Sequence, residues 1–237
     1  MVISAYEEWE EVMPKFVVIS GKKQSGKTTA AKYIAKFLDI SKVVSFADPI
    51  KEFCRDILGL TEEQIYGTEE EKNSLTDIMW DKMPSEIRLR YDPATTPPKC
   101  DTCGHQEVYW TTGIHFGKTG RMTAREVMQI FGTDVCRQSF GQNVWTDALF
   151  RKYGSTLYKF IVVDDCRFPN ELDAAIKHNA ICIHLTRNVL GPDQHVSETA
   201  LDGWVTEDKY DHIIDNQELT IEETEKILRK IVDGPAF

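Results

Sequence analysis

The sequence has no long apolar run. No stretch of the 237 residues approaches the roughly 18 consecutive apolar residues that a membrane span needs, and the N-terminus lacks a basic segment followed by an apolar one. These absences argue against an integral membrane protein and against a secretory signal. We therefore expect a cytoplasmic protein with no membrane partner.

An excess of positive charge is also missing. The chain carries 28 lysines and arginines against 38 aspartates and glutamates, a formal net charge of −10 at pH 7. A protein that binds the nucleic-acid backbone favours a basic surface, so we expect no nucleic-acid partner. This composition favours positive charge that is confined to one cleft.

The six cysteines offer little material for disulfides or for a complete metal site. Four lie far apart in apolar settings and are predicted to be buried thiols. Cys100 and Cys103 form the CxxCG turn of half a zinc ribbon, but the second CxxC is missing. His105, His115 or Cys136, or a second subunit, would have to supply the other ligands. Cys100 and Cys103 are therefore candidate ligands of a structural zinc ion, and a metal-free turn is the alternative.

The clearest positive signal is the stretch FVVISGKKQSGKTT near the N-terminus. Residues 16–20 are mostly branched or aromatic and predict a buried strand, which runs directly into a loop with the spacing GxxxxGK(S/T). An amphipathic helix is predicted at residues 29–38. An ordinary glycine-rich turn, the alternative, would not need strand, loop and helix in this order. The pattern therefore predicts a P-loop.

Each residue type of a P-loop has a chemical role. Glycines let the backbone curl until successive N–H groups point at phosphate oxygens, Lys27 can reach the β- and γ-phosphates, and the Thr28 hydroxyl can contact Mg²⁺. The positive end of the following helix adds to the same site. The predicted ATP-binding residues of the loop are Gly21, Lys22, Lys23, Gln24, Ser25, Gly26, Lys27, Thr28 and Thr29.

A second short apolar run, residues 42–46, leads into a predicted helix at residues 49–58. Asp48 is a good N-cap for this helix, and the proline after it suits the first helical position. Asp48 and Lys51 would then lie at the carboxyl end of a strand beside the P-loop, where open α/β sheets bind ligands. The alternative for Lys51 is an ordinary solvated helix lysine.

The middle of the chain is the least regular part. Thr61 and Gln64 form a capping box for a short helix, after which the sequence is charged and broken by prolines. We interpret residues 68–120, approximately, as an insertion in a single domain that spans residues 1–237.

Two arginines follow this segment. Arg125 and Gln129 share one face of a predicted helix, Gly132 is predicted to end that helix, and Arg137 follows in the next. Guanidinium groups bind phosphate oxygens in pairs, so both arginines suit a phosphate-bearing substrate. Surface ion pairs are the alternative in a chain this acidic.

The second half of the chain alternates strands with helices. Residues 158–163 predict a buried strand, and Asp164 and Asp165 follow it, where a P-loop protein places its magnesium contact. Further strands are predicted at residues 181–185 and 212–214. The chain is thus predicted to be an α/β protein with a mostly parallel five-stranded sheet and helices on both faces, a three-layer αβα arrangement. His195 is predicted to lie in a polar loop, where it would either cap the loop or contact the nucleotide.

Taken in order, the strings GKKQSGKTT, FADPIKE, AREVMQIFGTDVCR, VVDDCRFPNELDAA, HLTR, HVSE and IIDN resemble the deoxynucleoside monophosphate kinases of bacteriophages and their bacterial relatives. The resemblance covers residues 16–53 and 123–232 and implies the P-loop nucleoside monophosphate kinase fold. It also implies transfer of the ATP γ-phosphate to a deoxynucleoside monophosphate, which gives the diphosphate and ADP. Host cytoplasm is the implied location if the gene is phage-encoded.

The same resemblance assigns the site residues. Lys27 and Thr28 would hold ATP–Mg²⁺, and Asp165, not Asp164, would be the strand-end aspartate that contacts the metal. Arg187 would contact ATP. The implied catalytic residues are Lys27, Asp165, Arg167 and Arg137. The implied substrate-binding residues are Asp48, Lys51, Arg125, Gln129, Arg137 and Arg167.

Two other functions stay open at this point. A P-loop kinase similar to those acting on dephospho-coenzyme A would share the P-loop and the sheet but differ in its acceptor pocket. A P-loop ATPase switch that binds nucleic acid through the CxxC turn would need the basic surface that is missing. The base preference, the lid segment and a homodimer are left undecided by the sequence.

Overall fold

The computed structural model describes residues 13–91, 117–188 and 200–234. The chain divides into two compact units. We call Met1–Pro49 with Gly141–Phe237 the sheet unit and Ile50–Phe140 the second unit. Within the predicted insertion, residues 92–116 lie outside the described part, and the single-domain arrangement stays a prediction.

The described helices and strands are numbered here in chain order. The strands are β1 Lys15–Gly21, β2 Ser41–Val44, β3 Leu75–Met79, β4 Arg121–Thr123, β5 Phe160–Cys166, β6 Ile181–Leu185 and β7 His212–Ile214. The α-helices are α1 Lys27–Phe37, α2 Asp48–Asp56, α3 Glu62–Tyr66, α4 Glu69–Lys72, α5 Ser85–Arg90, α6 Ala124–Gln129, α7 Gln138–Phe140, α8 Val144–Tyr153, α9 Pro169–Lys177 and α10 Ile221–Val232. A 3₁₀ turn covers Trp80–Lys82, and a π-helix covers Ile130–Arg137.

The sheet unit is built on a five-stranded sheet of order β2-β5-β1-β6-β7. All four strand pairs are parallel, as predicted. The carboxyl ends of parallel strands meet at one edge, and the central position of β1 places the loop that follows it in the middle of that edge. This edge therefore carries the P-loop, the end of β5 and the end of β6.

Helices cover both faces of the sheet because the side chains of β1 alternate between them. Phe16 and Val18 pack in one apolar cluster with residues of α8 and α9, whereas Val17 and Ile19 pack in another with residues of α1 and α10. Burying each such side chain contributes about 1.5–3 kcal/mol. The three-layer αβα prediction is confirmed.

The second unit pairs two short antiparallel strands, β3 and β4. Its buried side chains include Trp80, Ile65 and Met122. The indole N–H of Trp80 donates to Glu126 at 3.3 Å. The predicted capping box is confirmed, since the Thr61 hydroxyl accepts from the backbone N–H of Gln64 and the Gln64 side chain accepts from Thr61.

The prediction that Gly132 ends a helix was wrong. α6 passes directly into the π-helix, which contains Gly132 as a buried residue and ends at Arg137. A glycine that terminates a helix adopts positive φ, and Gly132 is not among the described glycines that do so. Gly132 was therefore wrongly interpreted as a helix end, because the helical turns widen from α to π here and the helix continues.

No helix in the described part of the chain has the length and apolar character needed to cross a membrane.

Candidate active site

The loop between β1 and α1 has a backbone that only glycine permits at two points. Gly21 has φ +145° and Gly26 has φ +96°. A Cβ atom on Gly21 would lie 2.6 Å from the Ser25 hydroxyl oxygen and 2.7 Å from the carbonyl oxygen of Leu185. The loop can therefore curl this tightly only because glycine starts it.

The interior of this loop carries a donor set that fits a polyphosphate. The Lys27 ammonium is buried and donates to the carbonyl oxygens of Gly21 at 2.7 Å and Lys22 at 2.6 Å. The Ser25 hydroxyl is buried and has no hydrogen-bond partner among the residues that the structure describes. α1 begins at Lys27, so the N–H groups of its first turn, which have no partner within the helix itself, face the same place.

Asp165 stands inside the end of β5, not after the strand as its predicted bounds implied. Its carboxylate accepts hydrogen bonds from the Ser45 hydroxyl, from the Phe46 N–H at 2.6 Å and from the Ala47 N–H at 3.3 Å. These donors belong to the connection between β2 and α2. Asp165 thus ties that connection to the centre of the sheet edge.

Asp48 begins α2 on the same connection. Its carboxylate accepts from the backbone N–H of Ser45 at 2.8 Å. Thr28, on the first turn of α1, is exposed. Carboxylate and hydroxyl oxygens are the protein ligands that Mg²⁺ favours, so Thr28 and Asp165 have the right chemistry for the predicted metal contact.

A pocket of about 150 Å³ opens at the carboxyl edge of the sheet. The Lys22 ammonium lies 3.1 Å from a carboxylate oxygen of Asp202 in its wall, and Arg167 contributes a second cation. A pocket with this charge suits an anionic group. Its lining residues are Gly21, Lys22, Arg167, His184, Thr186, Leu201, Asp202 and Val205.

His184 in the pocket wall belongs to a buried polar cluster with Ser20 and Tyr210. The Ser20 hydroxyl is 2.8 Å from Nδ1 of His184 and 2.9 Å from the Tyr210 hydroxyl. Burial, with a smaller contribution from the Lys27 charge, lowers the pKa of His184 to about 4. His184 is therefore neutral at physiological pH and acts as a hydrogen-bonding group, not as a cation.

Arg187 follows β6 and is held by backbone carbonyls. Its Nε donates to the carbonyl oxygen of Asn216 at 2.9 Å, and its Nη2 donates to the carbonyl oxygen of Leu219. The Asn216 side chain in turn donates to the carbonyl oxygen of Ser25 at 2.9 Å. The predicted ATP-binding residue Arg187 is thus connected to the P-loop through Asn216.

The remaining predicted substrate residues lie in the second unit. Arg125 pairs with Glu69, the kind of ion pair that the sequence left open as an alternative. Gln129 is exposed, and Arg137 is the last residue of the π-helix. The Lys51 ammonium lies 4.9 Å from the centre of the Tyr66 ring. The sheet unit holds the other predicted residues, namely the P-loop, Asp48, Asp165, Arg167 and Arg187.

Comparison with known sequences decides the family. A sequence model of deoxynucleotide monophosphate kinases matches residues 62–227. The chain belongs to this family. A putative deoxynucleotide monophosphate kinase of Acanthamoeba polyphaga mimivirus is 29% identical over 228 residues, which cover 91% of this chain and 95% of the relative. The deoxynucleotide monophosphate kinase of Enterobacteria phage T4 is 25% identical over 214 residues, which cover 79% of this chain and 88% of the relative.

This kinase is therefore an enzyme that phosphorylates nucleotides, and its family implies ATP and a nucleoside monophosphate as substrates. The resemblance described from the sequence motifs is confirmed. The dephospho-coenzyme A and ATPase-switch alternatives are not favoured. The matched range includes the whole segment interpreted as an insertion.

The candidate zinc ligands of the kinase, Cys100 and Cys103, lie outside the described residues, as do His105, His115 and His195. Among residues 13–91, 117–188 and 200–234, no three histidine, cysteine or acidic side chains are placed to hold a metal ion. Zinc stays a prediction. The predicted buried thiols are confirmed, and they are Cys54, Cys136, Cys166 and Cys182.

Sequence reasoning assigned no role to three residues of the candidate site. His184 is a polar residue in the buried apolar strand ICIHL, and that contrast was a usable signal. Asn216 follows the last strand of the sheet, the position that drew attention to Asp48. Asp202 gave no local signal, because only the fold brings it to Lys22.

Proposed function

We propose that this kinase uses the loop from Gly21 to Thr29 to hold the triphosphate of ATP and that Lys27 is its main catalytic residue. The observation that carries this proposal is the buried ammonium of Lys27 inside a curled loop, in which the Ser25 hydroxyl has no partner in the described part of the chain. Such a donor set stabilises negative charge that develops during phosphoryl transfer.

In the reaction, an oxygen of the acceptor 5′-phosphate attacks the γ-phosphorus of ATP. The bond from the γ-phosphorus to the β–γ bridging oxygen breaks, and ADP leaves with that bonding electron pair. The acceptor oxygen is already anionic at neutral pH, so no strong general base is needed. Alignment and charge neutralisation then supply the catalysis.

Thr28 and Asp165 are the residues that would hold Mg²⁺. When bound with ATP, this ion neutralises charge on the phosphate oxygens. Donors from Ser45, Phe46 and Ala47 fix the carboxylate of Asp165 in one orientation. Asp165 would in this way also hold Asp48 and the connection after β2 beside the nucleotide.

The acceptor phosphate would be bound by cationic residues. Arg167 lies in the wall of the pocket beside Lys22, and its backbone N–H donates to Glu171 at 2.8 Å. Arg125, Arg137 and Lys51 stay predicted substrate contacts, and exchange of Glu69 for a phosphate would free Arg125 for this role. Cytoplasmic location, a homodimer and a zinc ion at Cys100 and Cys103 stay predictions.

The decisive experiment is ATP-dependent phosphorylation of a panel of nucleotides followed by separation of the products. The panel covers dTMP, dGMP, dCMP, dAMP, modified pyrimidine deoxynucleotides and the ribose equivalents. We expect diphosphate from one or more deoxynucleotides, and the pattern fixes the base range. Hydrolysis of ATP with every monophosphate unchanged would contradict the proposal.

A further inference from the structure

Asn216 occupies a buried position between the P-loop and the end of β6. Only 2% of its surface is exposed. Its side-chain amide makes two hydrogen bonds in opposite directions. The Nδ2 group donates to the carbonyl oxygen of Ser25 at 2.9 Å, and Oδ1 accepts from the backbone N–H of Arg187 at 2.9 Å. The two ends of this one amide therefore contact the loop and the neighbouring strand.

The bond to Ser25 acts on a particular peptide unit. The carbonyl of Ser25 and the N–H of Gly26 belong to the same planar trans peptide, in which the two groups point in opposite directions. Holding the carbonyl therefore fixes the direction of the Gly26 N–H. That N–H is one of the loop donors that would face phosphate oxygens.

Gly26 itself cannot fix this direction. Its φ of +96° lies where glycine moves freely, and the nearest heavy atom to a Cβ at this position is Nδ2 of Asn216, at 3.9 Å. Ser25 is fully buried, but its hydroxyl makes no hydrogen bond within the described part of the chain. The neighbouring groups are held, since the Ser25 N–H donates to the Lys22 carbonyl oxygen at 3.1 Å and the Gly26 carbonyl accepts from the Ala30 N–H at 2.9 Å. The amide of Asn216 adds the restraint that acts directly on the Ser25 carbonyl.

We infer that Asn216 is a positioning residue for nucleotide binding, which orients the Gly26 N–H in the P-loop and couples that loop to Arg187. This inference rests on the proposed role of the P-loop in holding ATP. Arg187 makes a second hydrogen bond to Asn216, in which its Nε donates to the Asn216 carbonyl oxygen. A change at Asn216 would therefore act on ATP and leave the monophosphate site unaffected.

Asn216→Asp separates the two bonds of the side chain. The aspartate keeps an oxygen for the Arg187 N–H but presents its second oxygen to the Ser25 carbonyl, so a hydrogen bond becomes a repulsive contact. Gln217→Ala is the matched control. Gln217 is the next residue along the chain, and its side chain likewise accepts from a backbone N–H after β6, that of Asn188 at 2.9 Å. No bond from Gln217 to the P-loop is found in the described part of the chain.

The experiment measures ATP affinity by calorimetry, KM for ATP and for the preferred deoxynucleotide, and the amide resonance of Gly26 in ¹⁵N-glycine-labelled protein. For N216D we expect ATP affinity to fall about tenfold or more, as loss of one buried hydrogen bond with added repulsion predicts. KM for the monophosphate should stay within about twofold, and the Gly26 resonance should shift without nucleotide. Q217A should match the wild type in all three.

Wild-type ATP affinity and an unmoved Gly26 resonance in N216D would overturn the inference, and so would an equal rise in both KM values. Absence of ATP binding by the wild-type protein would instead contradict the proposed function, so the two failures are distinguishable. If N216D does not fold, Asn216→Ala removes both bonds without adding an oxygen, and the same selective loss of ATP affinity is expected.

Discussion

Lys27 and Asp165 in the sheet unit and Arg125 in the second unit are held by different means. In the sheet unit, Lys27 and Asp165 bond to backbone carbonyls and N–H groups, which the strands and loops fix in place. In the second unit, Arg125 pairs with the flexible side chain of Glu69 at the surface. Backbone partners set geometry, whereas exposed ion pairs contribute about 0–1 kcal/mol and exchange readily.

This difference suits the two halves of a kinase reaction. The phosphates of ATP need donors that are already in position, because reorganisation during the reaction would cost rate. If Arg125 binds the monophosphate as proposed, it can instead trade its carboxylate partner for a phosphate. The comparison predicts that substitutions in the sheet unit change chemistry most.

The largest effect is expected from Lys27→Ala. Loss of the ammonium should lower kcat by about 10³-fold or more, since charge neutralisation on the transferred phosphoryl group is lost. Folding should be retained, because the partners of Lys27 are loop carbonyls and not the apolar clusters. Lys32→Ala, an exposed lysine on the same helix, is the control for steady-state kinetics and thermal unfolding. Near-normal turnover in K27A would remove this loop from the mechanism.

A smaller effect is expected from Asp165→Asn. The amide loses one acceptor oxygen opposite three donors, so stability should fall by about 1–2 kcal/mol and kcat by about 10²-fold. Asp164→Asn, one position earlier in β5, should change both by much less. Denaturant titration and the dependence of rate on Mg²⁺ would check this. If D164N were the more damaging change, the metal contact would belong to Asp164.

The third prediction concerns pH. Unfolded histidine takes up a proton near pH 6.5, whereas buried His184 does so only near pH 4. The unfolded state therefore binds more protons between these values, and the free energy of unfolding should fall as pH drops through this window, by up to about 3 kcal/mol. His184→Gln should flatten that part of the pH profile in urea titrations. Equal slopes in the two proteins would show that His184 titrates normally.

The last prediction concerns the stability of the second unit alone, with no expected effect on chemistry. Asp134 is buried in the π-helix and accepts from Arg90, from the Tyr91 hydroxyl at 2.7 Å and from Gln138 at 3.1 Å. Asp134→Ala should cost about 1–3 kcal/mol, because it leaves these donors without their acceptor.

Asp77→Ala is the matched control for that substitution, because the Asp77 side chain is 99% exposed in its pair with Arg121. It should change the free energy of unfolding by less than about 0.5 kcal/mol. Thermal unfolding of both variants would measure the difference. If D134A and D77A were equally stable, the contrast between buried and exposed pairs in this unit would fail.

The sequence predicted features whose residues are close together along the chain, and it did not predict contacts between residues that are far apart. The P-loop and the sheet were predictable because strand, loop and helix follow each other within 25 residues or so and each leaves its own periodic pattern. The contact between Ser20 and Tyr210 joins residues 190 positions apart, and nothing in either neighbourhood specifies the partner. Asn216 lies in the string IIDN but was given no role for the same reason, since its partner Ser25 is 191 positions away.

The π-helix shows the same limit in the second unit. Gly132 has the local pattern of a helix end, yet the helix continues through it, and the buried Asp134 in these wide turns is held by Arg90 and Tyr91. Those partners are 44 and 43 positions away. Tertiary contacts of this kind override local preference, so the helix end was predicted where none exists.

Trp204 gives the pocket an internal optical reporter. In the sequence it lies between Asp202 and Val205, which both line the pocket. The Lys209 ammonium lies 4.4 Å from the centre of its ring. Indole emission responds to nearby charge and to exclusion of water. In a variant that retains this tryptophan alone, the emission would record in real time, and without an attached dye, how quickly each nucleotide enters and leaves.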